Sequence, residues 1–257
     1  MELNAAVVCP RLTKHVHQAH SFYTFLYISM MNAYVTMAIG AARAGIERVV
    51  WLQTRLQDLG ANYPLLLLHD SDAASVPLIK EVKLRREVPF VLFVNRSHGR
   101  RLLKAGDQLR TMQKFHIFNL VEFARVVYID QDIYLRTLPD PLFAVRLNDT
   151  HSVAAVDVGG CFNSGLMVVR PSAHVYNYVR EVARKHVWHL PRCEFYRGDQ
   201  TALNIAFPKY VRLPAQWNWC HHLQKEPIRA PVGYNVHFVG RNKPTDMCTA
   251  NSLLSQS

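Results

Sequence analysis

No stretch of this 257-residue chain stays apolar for the roughly 18 residues that a bilayer span needs. The best candidate, Phe22 to Met31, is interrupted by Thr24 and Ser29, so no membrane span is expected. The flank before it, Arg11 to His20, is somewhat basic but no clear cleavage site follows, so no signal peptide is expected. Cysteine is sparse and unpatterned: Cys9, Cys161, Cys193, Cys220 and Cys248 are odd in number and widely spaced. That is neither a disulfide framework nor a zinc signature, so reduced thiols and a cytoplasmic location are expected. Cys220-His221-His222 lacks a second Cys/His pair at zinc spacing and reads as structural. Glycine is missing where nucleotide folds concentrate it. The loop after the first predicted strand carries neither G-x-G-x-x-G nor a P-loop, which leaves dinucleotide binding and Walker-type NTPases unsupported. Acidic residues are outnumbered, 19 against 30 Lys+Arg, for a formal charge of +11. Such a balance favours anionic partners. The basic residues are dispersed and not interleaved with aromatics, so no nucleic-acid module is expected.

What is present is alternation of buried strand and amphipathic helix. Residues 1–31 have no clean period and read as an N-terminal extension. Ala33 to Ile39 predicts the first strand of a domain, and Ile46 to Leu59 a helix ended by Gly60. Tyr63 to Leu68 follows as a second strand, making a β-α-β unit with a right-handed crossover. Val76 to Arg86 reads as helix, Pro89 to Val94 as a short strand, and residues 95–107 as a basic loop. Gln108 to Ala124 carries a helical period and leads into Val126-Val127-Tyr128-Ile129, a strand apolar on both faces. A lysine in that helix, Lys114, would by pattern alone be solvated. Later, Asn163-Ser164-Gly165 reads as a turn, Leu166 to Val169 as a strand, and Ser172 as the cap of a helix. Asp199 is a plausible cap of another. The domain spans 32–245, and the polar tail 246–257 frays.

The central strand runs straight into Asp130-Gln131-Asp132. Ligands of open α/β sheets sit outside the carboxyl ends of strands, and two carboxylates there are hard oxygen ligands for a divalent cation. An Asp-x-Asp after a strand also arises simply because Asp starts turns.

Four ordered segments narrow the choice: YIDQD at 128–132, CFNSGLMVVRPS at 161–172, GDQTALN at 198–204 and HFVGRNKP at 237–244. Together they resemble the retaining glycosyltransferases of family 8, the group that includes glycogenin and galactinol synthase. The resemblance covers roughly residues 33–245. It implies an α/β GT-A fold, a Rossmann-like mixed β-sheet with helices on both faces. It implies transfer of a hexosyl unit from a nucleotide sugar, usually UDP-linked, with the aid of Mn²⁺ or another divalent cation. In that picture Asp130, Asp132 and His237 hold the metal, and Lys243 with the backbone at Gly240 holds the diphosphate. Lys114 reaches donor sugar and phosphate, while Asn163, Asp199 and Gln200 line the sugar and the reacting face. The acceptor, whether glycan, polyol or protein, is not named by the resemblance, and a homodimer is compatible with it.

The chain departs from the family pattern at three places. Gln131 fills the middle of the Asp-x-Asp, Ala44 or Gly45 stands near the usual base-stacking tyrosine, and Thr245 replaces a tryptophan after Lys243-Pro244. These departures keep open a non-catalytic module that binds nucleotide or glycan on the same fold. A haloacid-dehalogenase-type phosphotransferase also runs a strand into Asp-x-Asp. It wants Thr or Val two residues after the second Asp, where Tyr134 stands.

Overall fold

The computed structural model describes residues 31–39, 43–69, 80–83, 111–185, 198–222 and 230–239. The strand expected at Pro89–Val94, the loop at 95–107, Gly240, Lys243 and both chain ends lie outside them. The first unit is β1 (Met31–Ala38), helix α1 (Arg43–Asp58) and β2 (Leu65–His69). Gly60 sits at φ 75° and ends the helix as expected, because only glycine takes that left-handed value without steric cost. Next comes β3 (Lys80–Lys83), a strand inside the segment read as helix. It pairs in parallel with β2 through Leu66, Leu67, Leu68 and His69, and tertiary pairing has overridden a local helical pattern.

The segment expected to be helical through Ala124 is cut short. A 3-10 helix occupies Gln113–Asn119, and β4 (Phe123–Ile129) already begins at Phe123. After the two-residue strand β5 (Ile133–Tyr134) come β6 (Val153–Val158) and β7 (Cys161–Val169). Asn163-Ser164-Gly165 is therefore not a turn but the middle of a fully buried strand. Helix α2 (Ala173–Lys185) follows, with the Tyr176 N–H bonding the Ser172 carbonyl at its start. Helix α3 (Asp199–Ala206), β8 (Val211–Leu213), β9 (Trp219–His222) and β10 (Val236–Val239) complete the order.

The main sheet has seven strands in the order β3-β2-β1-β4-β7-β6-β8, and a small one has the order β5-β10-β9. Strands β3, β2, β1 and β4 run parallel to one another, while β7 is antiparallel to both β4 and β6. The chain thus forms the mixed α/β sheet that the motifs imply. Strand residues alternate between two cores, as a period of two requires. On one face Val126 and Tyr128 pack with Phe115, Phe118, Val179 and Leu203 from the covering helices. On the other, Val127 and Ile129 pack with Val49, Leu52 and Leu56 of α1.

Strands β1 and β4 are adjacent and parallel, and the chain leaves them in opposite directions across the sheet. Their carboxyl ends form the crevice at which α/β sheets bind ligands. The small sheet closes over this edge, since β10 pairs with β5 through His237 and Ile133. No helix among the described residues is long and apolar enough to cross a membrane. Cys161, expected as a reduced thiol, is disulfide-bonded, whereas Cys220 is free.

Gly198, just ahead of α3, holds φ 86° and ψ −138°, and a Cβ there would stand 2.9 Å from Thr111 Oγ1. Gly198→Ala is expected to lower the unfolding free energy by about 1–3 kcal/mol in urea titrations. A change under about 0.5 kcal/mol would contradict this account.

Candidate active site

The last residues of β4 set the site. Tyr128 and Asp130 are two apart and share a face, so the buried phenol donates to Asp130 Oδ1 at 2.6 Å. The backbone locks the next step: the Asp130 N–H bonds the Gly165 carbonyl at 2.7 Å, and the Phe238 N–H bonds the Asp132 carbonyl at 3.0 Å. Asp132 therefore stands against β10, and its Oδ1 lies 3.4 Å from His237 Nε2. One ligand atom from each of Asp130, Asp132 and His237 falls within 4.8 Å of the others. Gln131, between the carboxylates, donates to the Met37 carbonyl at the end of β1, and its Oε1 lies 3.7 Å from where a Gly45 Cβ would be.

The orientation of His237 follows from a chain of hydrogen bonds that begins at a backbone donor. The Gly165 N–H can only donate, so the atom it meets at 2.8 Å is the Asn163 oxygen, Oδ1. Asn218 Nδ2 donates to that same oxygen at 2.9 Å. The Asn218 oxygen then accepts from His237 Nδ1 at 3.0 Å. With Nδ1 donating to Asn218, Nε2 is turned toward the carboxylates, and its lone pair becomes available to an ion once the Nε2 proton leaves. This is how a metal-binding histidine is usually held. Two carboxylates and one such imidazole are a donor set that fits a divalent cation, the nitrogen suiting Mn²⁺ better than Mg²⁺. Gly165 has to be glycine for a steric reason. A Cβ there would overlap His237 Cε1 and lie 2.7 Å from Nδ1 and 2.9 Å from Asn163 Oδ1.

Lys114 is not solvated. It is 4% exposed, and its Nζ lies 3.2 Å from Asp130 Oδ2 and 2.9 Å from Asp199 Oδ2. It also donates to the Ser164 carbonyl at 3.2 Å and sits 4.8 Å from the centre of the Tyr128 ring. Burial works against its charge, but Asp130 and Asp199 outweigh burial and hold its pKa above the ordinary lysine value. Burial raises the Asp130 pKa, with Lys114 opposing and Asp132 adding to the rise. Burial alone would leave His237 neutral, yet the adjacent Asp132 carboxylate prevails and its pKa is pushed up to about 10.

Asp199 does not cap its helix. Gly198 occupies that position, and the Asp199 carboxylate instead accepts from Lys114 and, at 2.8 Å, from Ser164 Oγ. Gln200 and Asn204, one helical turn apart, pair with β7 beyond the end of β4. Four helical residues rise about 6 Å and two strand residues about 6.6 Å, so the spacings match. Gln200 Oε1 accepts from the Ser164 N–H at 3.1 Å, and Asn204 bonds both the N–H and the carbonyl of Phe162 at 2.9 Å. With its oxygen so assigned, Gln200 keeps a buried Nε2 donor without a partner.

The structure thus gathers Lys114, Asp130, Asp132, Asn163, Asp199, Gln200 and His237 at one crevice. Gly240 and Lys243 lie outside the described residues. Sequence reasoning missed Tyr128, Asn218 and Asn204 as members. The period of two pointed to the first, and a lone amide between Trp217 and Trp219 to the second.

Comparison with known proteins gives one consistent picture. The family model for glycosyl transferase family 8 matches residues 103–245. A glycogenin from Komagataella phaffii is 24% identical over 218 residues, covering 81% of this chain and 49% of that protein. UDP-glucuronate:xylan alpha-glucuronosyltransferase 2 from Arabidopsis thaliana is 26% identical over 226 residues, 81% of this chain and 35% of that protein. The chain spans about half the length, or less, of the curated relatives it matches. Among solved structures, the galactosyltransferase LgtC in complex with donor and acceptor sugar analogs aligns at a TM-score of 0.56 and 16% identity. It covers 88% of this chain and 93% of that one. GlyE of Streptococcus pneumoniae TIGR4 aligns at 0.54 and 17%, covering 82% and 56%. These last two likenesses establish the fold.

The Asn218 amide is expected to govern ion binding through His237. Asn218→Ala should weaken Mn²⁺ affinity roughly 10- to 100-fold, read by calorimetry with circular dichroism unchanged. Unaltered affinity would show that His237 needs no such partner. An ion bound at Nε2 must also displace the proton that His237 holds below pH 10. Mn²⁺ affinity should therefore rise with pH, by about tenfold per unit for one proton released, across the neutral range. A flat profile between pH 6 and pH 8 would show that His237 holds no proton there for the ion to displace.

Proposed function

The chain belongs to glycosyl transferase family 8, and from that premise we propose that it is a metal-assisted, retaining hexosyltransferase. Its donor in this reading is a nucleotide sugar, UDP-linked, and its acceptor is a hydroxyl of a glycan, polyol or protein. The observation that carries the proposal is the crevice itself. Three carboxylates, an ammonium and an imidazole come together, with Asp130 alone partly open, at the carboxyl edge of the sheet. Buried charges contribute little to stability and are costly to assemble, so a fold kept only for binding has no physical need of this set.

Breaking an anomeric C–O bond leaves positive charge on the sugar and negative charge on the diphosphate. A divalent cation held by Asp130, Asp132 and His237 would act as a Lewis acid toward the departing diphosphate. Lys114 adds an ammonium on the same side, and Lys243 with Gly240 is assigned to the diphosphate on the resemblance alone. Gln200 Nε2 and the carboxylate of Asp199 face the sugar in this reading, with Asn163 holding the edge of the site. Preorganised groups of this kind are each worth on the order of 3 kcal/mol when removed.

Retention follows by attack of the acceptor from the leaving-group face. Gln200 is a poor nucleophile, and Asp199 Oδ2 is already bonded to Lys114 and Ser164, which lowers its reactivity. Gln131, lying against Gly45 near the place of the family's stacking tyrosine, favours an amide contact to the base in place of a ring. The disulfide at Cys161 favours an oxidising compartment over the cytoplasm expected from cysteine spacing.

The test is release of nucleotide from a panel of UDP- and GDP-sugars in Mn²⁺ or in EDTA, followed by calorimetry with UDP. Release from one UDP-sugar that EDTA abolishes is the expected result. Asp132→Ala should cut Mn²⁺-dependent UDP affinity and turnover by roughly 100-fold or more while the fold persists. Full turnover in EDTA, or UDP binding indifferent to Mn²⁺ and to Asp132→Ala, would overturn the metal assignment. Neither release nor binding of any nucleotide would move the chain to the non-catalytic reading.

A further inference from the structure

Both oxygens of Asp130 have partners within the protein. Oδ1 accepts from the Tyr128 hydroxyl at 2.6 Å, and Oδ2 pairs with Lys114 Nζ at 3.2 Å. Yet Asp130 is the ligand open to the crevice, its side chain 27% exposed against 7% for Asp132. An arriving cation therefore meets a carboxylate that already serves an ammonium. Lys114 cannot simply withdraw into water, because its side chain is 5% exposed. It is confined by Asp199 Oδ2 at 2.9 Å, the Ser164 carbonyl at 3.2 Å and the Tyr128 ring beneath it.

Resting on the metal reading above, we infer that Lys114 is a stand-in cation that competes with the divalent ion for Asp130. Without ligand, its ammonium keeps Asp130 and Asp199 together in place of the metal. Two cations sharing one carboxylate repel, so the ion alone binds weakly. A donor diphosphate supplies new negative charge to which the displaced ammonium turns, and this relieves the competition. Ion and nucleotide then strengthen each other's binding by the same factor, as linkage requires. The arrangement delays assembly of the charged site until the donor is present.

The experiment measures Mn²⁺ binding by calorimetry, with and without UDP, for the unaltered chain and for Lys114→Gln and Lys114→Met. The unaltered chain should bind Mn²⁺ more tightly with UDP than without. Both variants should bind Mn²⁺ alone about tenfold more tightly than the unaltered chain, within the usual range of coupling between sites. The gain that UDP confers should shrink in both. If a variant unfolds because Asp130 and Asp199 are left unpaired, Mn²⁺ should restore it, read as a rise in Tm with Mn²⁺ concentration. Unchanged or weaker Mn²⁺ affinity in a folded variant overturns the inference, as does an unfolded variant that Mn²⁺ does not rescue. An unaltered chain that binds no Mn²⁺ with or without UDP refutes the metal reading itself, a result distinct from these.

Discussion

Charge removed from water has to be paired, and the crevice is arranged around that requirement. Asp130, Asp199, Lys114, Asp132 and His237 are all largely buried, and each has an oppositely charged partner. Remove one partner and another is left uncompensated in a medium that solvates it poorly, at a cost of several kcal/mol. The backbone serves this pairing. The bond from Asp130 N–H to Gly165 and that from Phe238 N–H to Asp132 fix where the carboxylates begin, before any side chain is chosen.

The second constraint is the matching of two periods. Helix α3 meets β7 where β4 no longer covers it, and Gln200 and Asn204 take over the hydrogen bonds that a neighbouring strand would have made. Asp199, next to Gln200 in the chain, is thereby delivered to Lys114. The motif Asp-Gln-x-x-x-Asn is in this sense a docking device that carries a charged group, so its chemistry and its packing cannot be separated.

The sheet and its central strand were largely legible in the sequence. Val126 to Ile129 are apolar on both faces and can only be interior, and the carboxylates mark the strand's end. What failed to show was whatever depended on a distant partner. Asn163-Ser164-Gly165 has the composition of a turn, but Gln200 and the Asp130 N–H, with Asn204 at the neighbouring Phe162, bond it as extended strand. Lys114 looked solvated because Asp130 and Asp199 are 16 and 85 positions away in the chain. The Val76–Arg86 segment kept a helical pattern although β2 recruits Lys80–Lys83 as an edge. Asp199 carried the signature of a cap, yet a glycine with a left-handed φ starts the helix and releases the carboxylate for the site. Asn218 belongs to no local pattern, and only the hydrogen-bond chain from Gly165 gives it meaning.

That chain couples positions 165 and 237, which are far apart in sequence. The imidazole occupies the volume that any side chain at 165 would need. The two positions are therefore inherited as one choice, and they can change in only one order. A descendant that replaces His237 with something smaller is then free to gain a side chain at 165. Once that side chain is there, the imidazole has no room to return. Loss of the histidine can thus become irreversible through a neighbour that takes no part in the chemistry.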